Sequence, residues 1–372
     1  MYRGKSDLII DVGSGSIGAC LLQPATGKPS LSFVKRISIG SGSQASRDNI
    51  TGLAGEALKT LLPEFKTASV GNVRIVLASP WYSAKITTVA TRAEKPVKVS
   101  NATMARAVAG YRAKQENGGK PSAGRSPVES VVTQVSVNGY ATALKKTVLG
   151  TSMRVMLYES EADTAFLKTL TDSVHGMFPH ARVSFHSFPF LVFIILRDLR
   201  DEQSFVFIDA GGEVTDVAVV FRDSLSFLGS FPRGSASLVR DLSDPQKGLA
   251  DAASRLSLFV REELSMEEQA AFGPIFTKAA KSWEDELEKM LESARAQVPV
   301  PQTTFVTADR EELRWFGRVL SDSHGAFPVR AVLLTPDFFQ GRITLGDEAL
   351  YDAFMSLEAL FFHLKPDLTE VR

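Results

Sequence analysis

The chain has 372 residues, 44% of them apolar and 23% charged, an ordinary balance for a globular protein of two or three domains. Lys plus Arg and Asp plus Glu both number 42, which argues against nucleic acid or an anionic membrane as the principal partner. The single cysteine, Cys20, rules out an intrachain disulfide and fits a reducing cytosol. The first residues, MYRGKSD, run into an apolar strand, so no signal peptide is expected. Residues 7–22, DLIIDVGSGSIGACLL, read as strand, small-residue turn and strand, and 33–39 as a third strand. A polar loop at 40–49 follows. Ile50, Leu53, Ala54, Ala57, Leu58, Leu61 and Leu62 then share one helical face closed by Pro63. A buried strand is expected at 73–78 and an alternating one at 84–92. Ser100 is placed to cap a helix carrying Met104, Val108 and Tyr111 on one face. Residues 117–127 read as a loop, after which Val131, Thr133, Val135 and Val137 alternate into an Asn138-Gly139 hairpin turn.

The second half opens with a helix at 160–176 that turns Phe166, Leu167, Leu170 and Val174 inward, then a strand beginning at Arg182. Residues 188–199 form an apolar helix containing Pro189, too short to span a bilayer. Residues 204–221, SFVFIDAGGEVTDVAVVF, repeat the opening pattern: a strand ending in an acid, a Gly-Gly turn and a second strand. A strand at 224–231 and the segment FPRGSASLVRDL come next. The stretch 246–297 is mostly helical, with Trp283, Leu287, Met290, Leu291 and Ala294 in one stripe. Strands at 303–307 and 329–335 bracket a helix at 311–320, and a last helix covers 347–363.

Two Gly/Ser turns with an acid at the mouth of each, about half the chain apart, carry the functional argument. Backbone N–H groups in such turns form concavities that hold anions. A nearby carboxylate holds the water shell of a Mg²⁺ rather than the phosphate itself. The five histidines show no ligand spacing that suggests zinc, and Ser14 and Ser16 lack the setting of a nucleophile elbow.

The paired turns resemble the phosphate motifs of the actin-like ATPase superfamily, and the order of parts is most similar to its FtsA and PilM branch. The resemblance implies an α/β, actin-like two-lobed ATPase fold with a small α+β insert, the SHS2-type 1C subdomain. It divides the chain into a first part of lobe I at 1–83, the insert at 84–150, the rest of lobe I at 151–203, lobe II at 204–346, and a C-terminal helix at 347–372 returning to lobe I. It makes Asp11, Gly13, Ser14, Gly15 and Ser16 the first phosphate loop and Asp209, Gly211, Gly212, Glu213 and Thr215 the second, with Gly234 in the loop beyond. Asp11 and Asp209 would act on Mg²⁺ through water. Asp216 has a metal role and a structural one open to it. Ala308-Asp309 stands where the family places a Gly-Gly turn against adenosine, and Phe188 where its hydrolases carry a water-orienting Glu or Gln.

The resemblance implies a cytoplasmic scaffold that binds ATP and Mg, at most a slow ATPase with no catalytic residue assigned. Its implied partner is a short peptide or domain of an inner-membrane assembly protein of type IV pili, received by the insert. Self-association is open, nucleic acid is not expected, and the membrane is reached through the partner without direct insertion. An FtsA-like cell division protein, a nucleotide-free pseudo-ATPase scaffold and an actin-fold phosphotransferase remain as alternatives.

Overall fold

The computed structural model describes residues 5–39, 47–114, 122–142, 147–243, 248–309, 312–322, 330–346, 349–364 and 369–370. Lobe I opens with strands β1 (Ser6–Val12), β2 (Ser16–Gln23) and β3 (Ser30–Ser38), helix α1 (Arg47–Leu61), a 3-10 turn (Leu62–Phe65) and strand β4 (Val70–Leu77). The insert follows as β5 (Tyr82–Val99), α2 (Asn101–Arg112), β6 (Arg125–Val137), β7 (Tyr140–Thr142) and β8 (Val148–Asp163). Lobe I resumes with α3 (Thr164–Met177), β9 (Arg182–Ser187) and α4 (Phe188–Leu199). Lobe II contains β10 (Phe205–Ala210), β11 (Thr215–Phe221), β12 (Ser224–Phe231), α5 (Ser235–Asp241), α6 (Gly248–Arg261) and α7 (Met266–Arg295). It continues through β13 (Thr303–Ala308), α8 (Glu312–Asp322), β14 (Arg330–Leu333) and α9 (Pro336–Phe339). The chain then returns to lobe I with β15 (Thr344–Leu345) and α10 (Ala353–Leu364), and β16 (Thr369–Glu370) closes it.

The two lobes repeat one topology. In each, an antiparallel meander is followed by two parallel strands: β3-β2-β1-β4-β9, with β15 added at the edge, and β12-β11-β10-β13-β14. The parallel pairs β1–β4 and β10–β13 need crossovers, which α1 and the α5–α7 helices supply. Helices α4 and α10 lie against each other between the two sheets, while α1 and α3 cover the far face of one and α6 to α8 the far face of the other. That placement explains why FPFLVFIIL has no wet side. Every residue from Phe188 to Leu196 is buried, as expected of a helix with sheets on both flanks. Each large apolar side chain so buried is worth about 1.5–3 kcal/mol, so this helix binds the lobes into one body.

The insert forms a separate sheet in the order β16-β6-β8-β5, with β7 paired to β6. Val89, Val135, Val155 and Met153 pack on Met104 and Val108 of α2. Asn138 and Gly139 both have positive φ (52° and 85°), which a two-residue turn in register with the strand twist requires.

Several boundaries differ from the sequence expectation. Strand β8 pairs with β5 and β6 as far as Asp163, so the inserted sheet runs to 163 rather than 150. The helix expected from 160 starts at Thr164, capped by the Asp163 carboxylate on the Phe166 N–H at 2.8 Å. Backbone pairing of β6 with β8 overrides the polar character of Arg125, Ser126 and Pro127, expected in a loop. The last helix begins at Ala353, capped by Asp352 on the Met355 N–H at 3.1 Å. Much of the expected loops at 40–49 and 117–127 lies outside the described residues.

Candidate functional site: the cleft between the lobes

The two phosphate-type turns meet face to face between the lobes. In the first, the Gly13 N–H donates to the Ser16 carbonyl at 3.0 Å, and in the second the Gly211 N–H donates to the Val214 carbonyl at 3.1 Å. A Cβ on Gly212 would lie 2.4 Å from both Cα and N of Gly15. Glycine is needed at both positions because one backbone rests on the other. The N–H of Glu213, a residue of the second phosphate loop, donates to Ser14 Oγ across the cleft at 2.9 Å. The Glu213 carboxylate is held by Arg240 at 2.7 and 2.6 Å.

Gly234 lies where a Cβ would meet the Gly211 and Gly212 carbonyls at 2.2 and 2.6 Å. The start of α5 therefore sits on the second turn, with Ser235 and Ala236 N–H groups donating to those carbonyls at 2.9 and 2.8 Å. Thr215 is turned from the cleft: its hydroxyl donates to the Arg233 carbonyl at 2.6 Å and accepts from the Trp283 indole at 3.0 Å.

The acids are committed too. Asp11, Gly18 and Arg36 stand opposite one another on β1, β2 and β3. Because Gly18 has no side chain, the Arg36 guanidinium crosses β2 and reaches Asp11 at 2.8 Å and Ser16 Oγ at 2.9 Å. A Cβ on Gly18 would meet that guanidinium at 2.8 Å. The other edge of Arg36 takes Asp352, at the start of α10, at 2.7 and 3.1 Å. Two acids on one guanidinium make a strong, directional contact. Burial opposes the charge on Arg36, but Asp352 and Asp11 hold its pKa well above the usual value. Burial pushes Asp11 up to about 6 against the pull of Arg36.

Across the cleft, Asp209 accepts from Thr307 Oγ1 at 2.9 Å, while burial and the neighbouring Asp216 push its pKa up. Asp216 takes a structural role. It accepts from Ser79 of lobe I at 2.7 Å and from Tyr82 at the start of β5 at 3.2 Å, and burial lifts it to about 6. Trp81, beside them, donates to the Gly13 carbonyl at 2.9 Å and stacks on Phe166. Asp309 comes over the first turn, with Oδ2 3.9 Å from where a Gly15 Cβ would be, and burial raises its pKa. Phe188 is fully buried against Phe207 and Phe354 and faces no cleft.

In this conformation the residues do not fit a Mg-nucleotide. The turn that would cradle phosphate is closed by its opposite number, an internal cation neutralises Asp11, and burial favours a neutral Asp209, a poor partner for Mg²⁺. Sequence reasoning missed Arg36, Asp352 and a second buried set around Glu129. That carboxylate, from β6, accepts from the backbone and hydroxyl of Ser187 and from Ser160 Oγ, while Tyr158 Oη lies 2.7 Å from Ser187 Oγ. A lone acid in an apolar helix, Glu358, was a visible signal; it is fully buried with neither oxygen hydrogen-bonded among the described residues, and burial keeps its pKa high.

The repeated sheets, the helix pair between them and the facing turns define an actin-like ATPase fold carrying an inserted α+β sheet. The chain is similar to one in a solved PilM-PilN type IV pilus biogenesis complex, at 15% identity over 97% of this chain and 98% of that one, with a TM-score of 0.64. Weaker likenesses, too low to carry an argument, are to the ethanolamine utilization protein EutJ from Carboxydothermus hydrogenoformans and to a Bacteroides thetaiotaomicron protein described as having an actin-like ATPase fold. The first has 9% identity, coverage of 89% and 85% and a TM-score of 0.44; the second has 12%, 96% of both chains and 0.40. No family model matches the sequence, and no curated protein matches it.

Proposed function

We propose that this chain is a scaffold of a membrane-associated assembly of the kind PilM serves in its pilus complex, with lobes closed by its own side chains rather than by Mg-nucleotide. The observation that carries this reading is the contact of the two turns: Gly15 against Gly212, Ser14 on Glu213, and Arg36 on Asp11. The insert supports the adaptor part, because likeness to the PilM–PilN chain extends over nearly the whole length. A protein of the inner-membrane machinery is the proposed partner, and the cytoplasmic face of that membrane the proposed place.

The chemistry also speaks against turnover. An in-line attack on phosphate needs a polar group that orients water, and the start of α4 offers buried Phe188 and a Ser187 already engaged by Glu129 and Tyr158. Calorimetric titration of the purified chain with Mg-ATP and Mg-ADP tests the reading. The expected result is no measurable heat of binding at about millimolar nucleotide, the limit of weak affinity. Micromolar binding of either nucleotide would overturn it and restore the ATP- and Mg-binding scaffold that the family resemblance implies.

A further inference from the structure

The chain as a whole is neutral, but its charge is unevenly placed. Residues 82–163 carry twelve Lys and Arg against six Asp and Glu, leaving thirty against thirty-six for the rest. Within the insert, the acids gather at the end joined to the lobes. Glu159 pairs with Lys85 and Arg112, Glu161 with Arg125, Glu129 is engaged by Ser187, and Asp163 caps α3. The far end keeps the cations. Arg92, Lys95 and Lys98 of β5 and Arg154 of β8 are exposed, and none has an acidic partner among the described residues. Glu94 is the one described acid in that stretch of β5.

The same end bears three exposed apolar side chains, Tyr140 at 79% exposure, Leu149 at 63% and Val97 at 44%. They lie on β7, on the start of β8 and on the facing stretch of β5. Leu149 is opposite Lys98. On the sheet face away from α2, Arg92 and Arg154 flank a recess of about 320 Å³ that also takes in Ser136 and Ser152. Two guanidinium groups with two hydroxyls suit a phosphodiester oxygen set, because Arg matches such anions bidentately.

We propose that the far end of the insert is a membrane-contact surface that takes the phosphate headgroups of anionic phospholipids, with Tyr140 and Leu149 dipping into the interface. Basic side chains are attracted to an anionic leaflet and aromatic and aliphatic tips settle at headgroup depth. Apolar tips set among cations without acidic partners, beside a recess flanked by two guanidinium groups, suit the boundary of an anionic bilayer, where phosphate and acyl chain meet. The contact is peripheral: no described helix is long and apolar enough to cross a membrane. It goes beyond the proposed scaffold role and is independent of the state of the nucleotide cleft.

Sedimentation of the full chain with vesicles of phosphatidylcholine containing phosphatidylglycerol, beside vesicles of phosphatidylcholine alone, tests it. Co-pelleting is expected with the anionic vesicles at low salt, falling steeply at high salt as screening shortens the reach of charge. The double variant Lys95→Glu/Lys98→Glu should lower vesicle affinity at least about tenfold, and Tyr140→Ser/Leu149→Ser should lower it at unchanged salt dependence. All four positions are on the surface, and a melting temperature equal to the parent's confirms that each variant folds. Absence of pelleting at low salt, equal pelleting with neutral vesicles, or binding untouched by the charge reversal would each overturn the proposal. An acidic protein partner would then be the better occupant.

Discussion

Arg36 does what a bound metal ion does elsewhere: it gathers carboxylates that repel one another. Its reach depends on the empty position at Gly18, so two residues in register make one device. Removing the cation strands buried acids, which costs about 3–5 kcal/mol when a buried pair loses a partner. Arg36→Met is therefore expected to lower unfolding free energy by that order at neutral pH, measured by urea denaturation. The deficit has a predicted pH sense. Asp11, at about 6 even with Arg36 beside it, would rise further without it. A folded pKa above the unfolded one gives stability that is present below about pH 4 and lost as pH rises through the folded value. The Arg36→Met deficit should thus be smaller at pH 5 than at pH 8, and a deficit independent of pH would show that Arg36 acts by packing alone. Gly18→Ala should cost about 1–3 kcal/mol by forcing the guanidinium aside, seen as a lower urea midpoint.

Asp216 yields a second residue-scale test. It sits at about 6, raised by burial and held partly back by Ser79 and Tyr82. Its contribution is full below about pH 4 and lost as pH rises through about 6, a loss on the order of 3 kcal/mol. The parent chain should lose stability across that window, and Asp216→Asn should flatten the slope. A slope unchanged in the variant would assign the titration to another group.

At the level of elements, legibility followed the reach of each signal. Helix α4, the hairpin β10–β11 and β12 were readable because apolar runs, Gly-Gly turns and alternation are local patterns. The end of the insert was not, because nothing in residues 151–163 distinguishes a strand that stays in the inserted sheet from one that rejoins a lobe; pairing with β5 and β6 decides it. Arg36 escaped notice for the same reason, since its partners are 25 and 316 positions away. The glycines and acids of the two turns were found, but what they contact was hidden in the approach of one lobe to the other. These boundaries change how the insert can be removed. Excising 84–150 would leave β8 without either neighbour and take Glu129 from Ser187, so that deletion should yield insoluble protein, judged by size-exclusion recovery. A folded, monodisperse product would show that the two lobes need nothing from the inserted sheet.

The whole molecule is a five-layer stack whose central helices α4 and α10 touch both sheets. The cleft between the lobes is bridged by Ser14–Glu213 and by Asp216 with Ser79 and Tyr82. The most direct test of that closure is the distance between the lobes in solution, read by paired spin labels on exposed Lys59 of α1 and Met266 of α7. A single narrow distance distribution, unchanged by Mg-ATP or Mg-ADP, is the predicted result. A broad distribution that narrows or shifts when nucleotide is added would contradict it, because nucleotide rather than the chain's own side chains would then be closing the cleft.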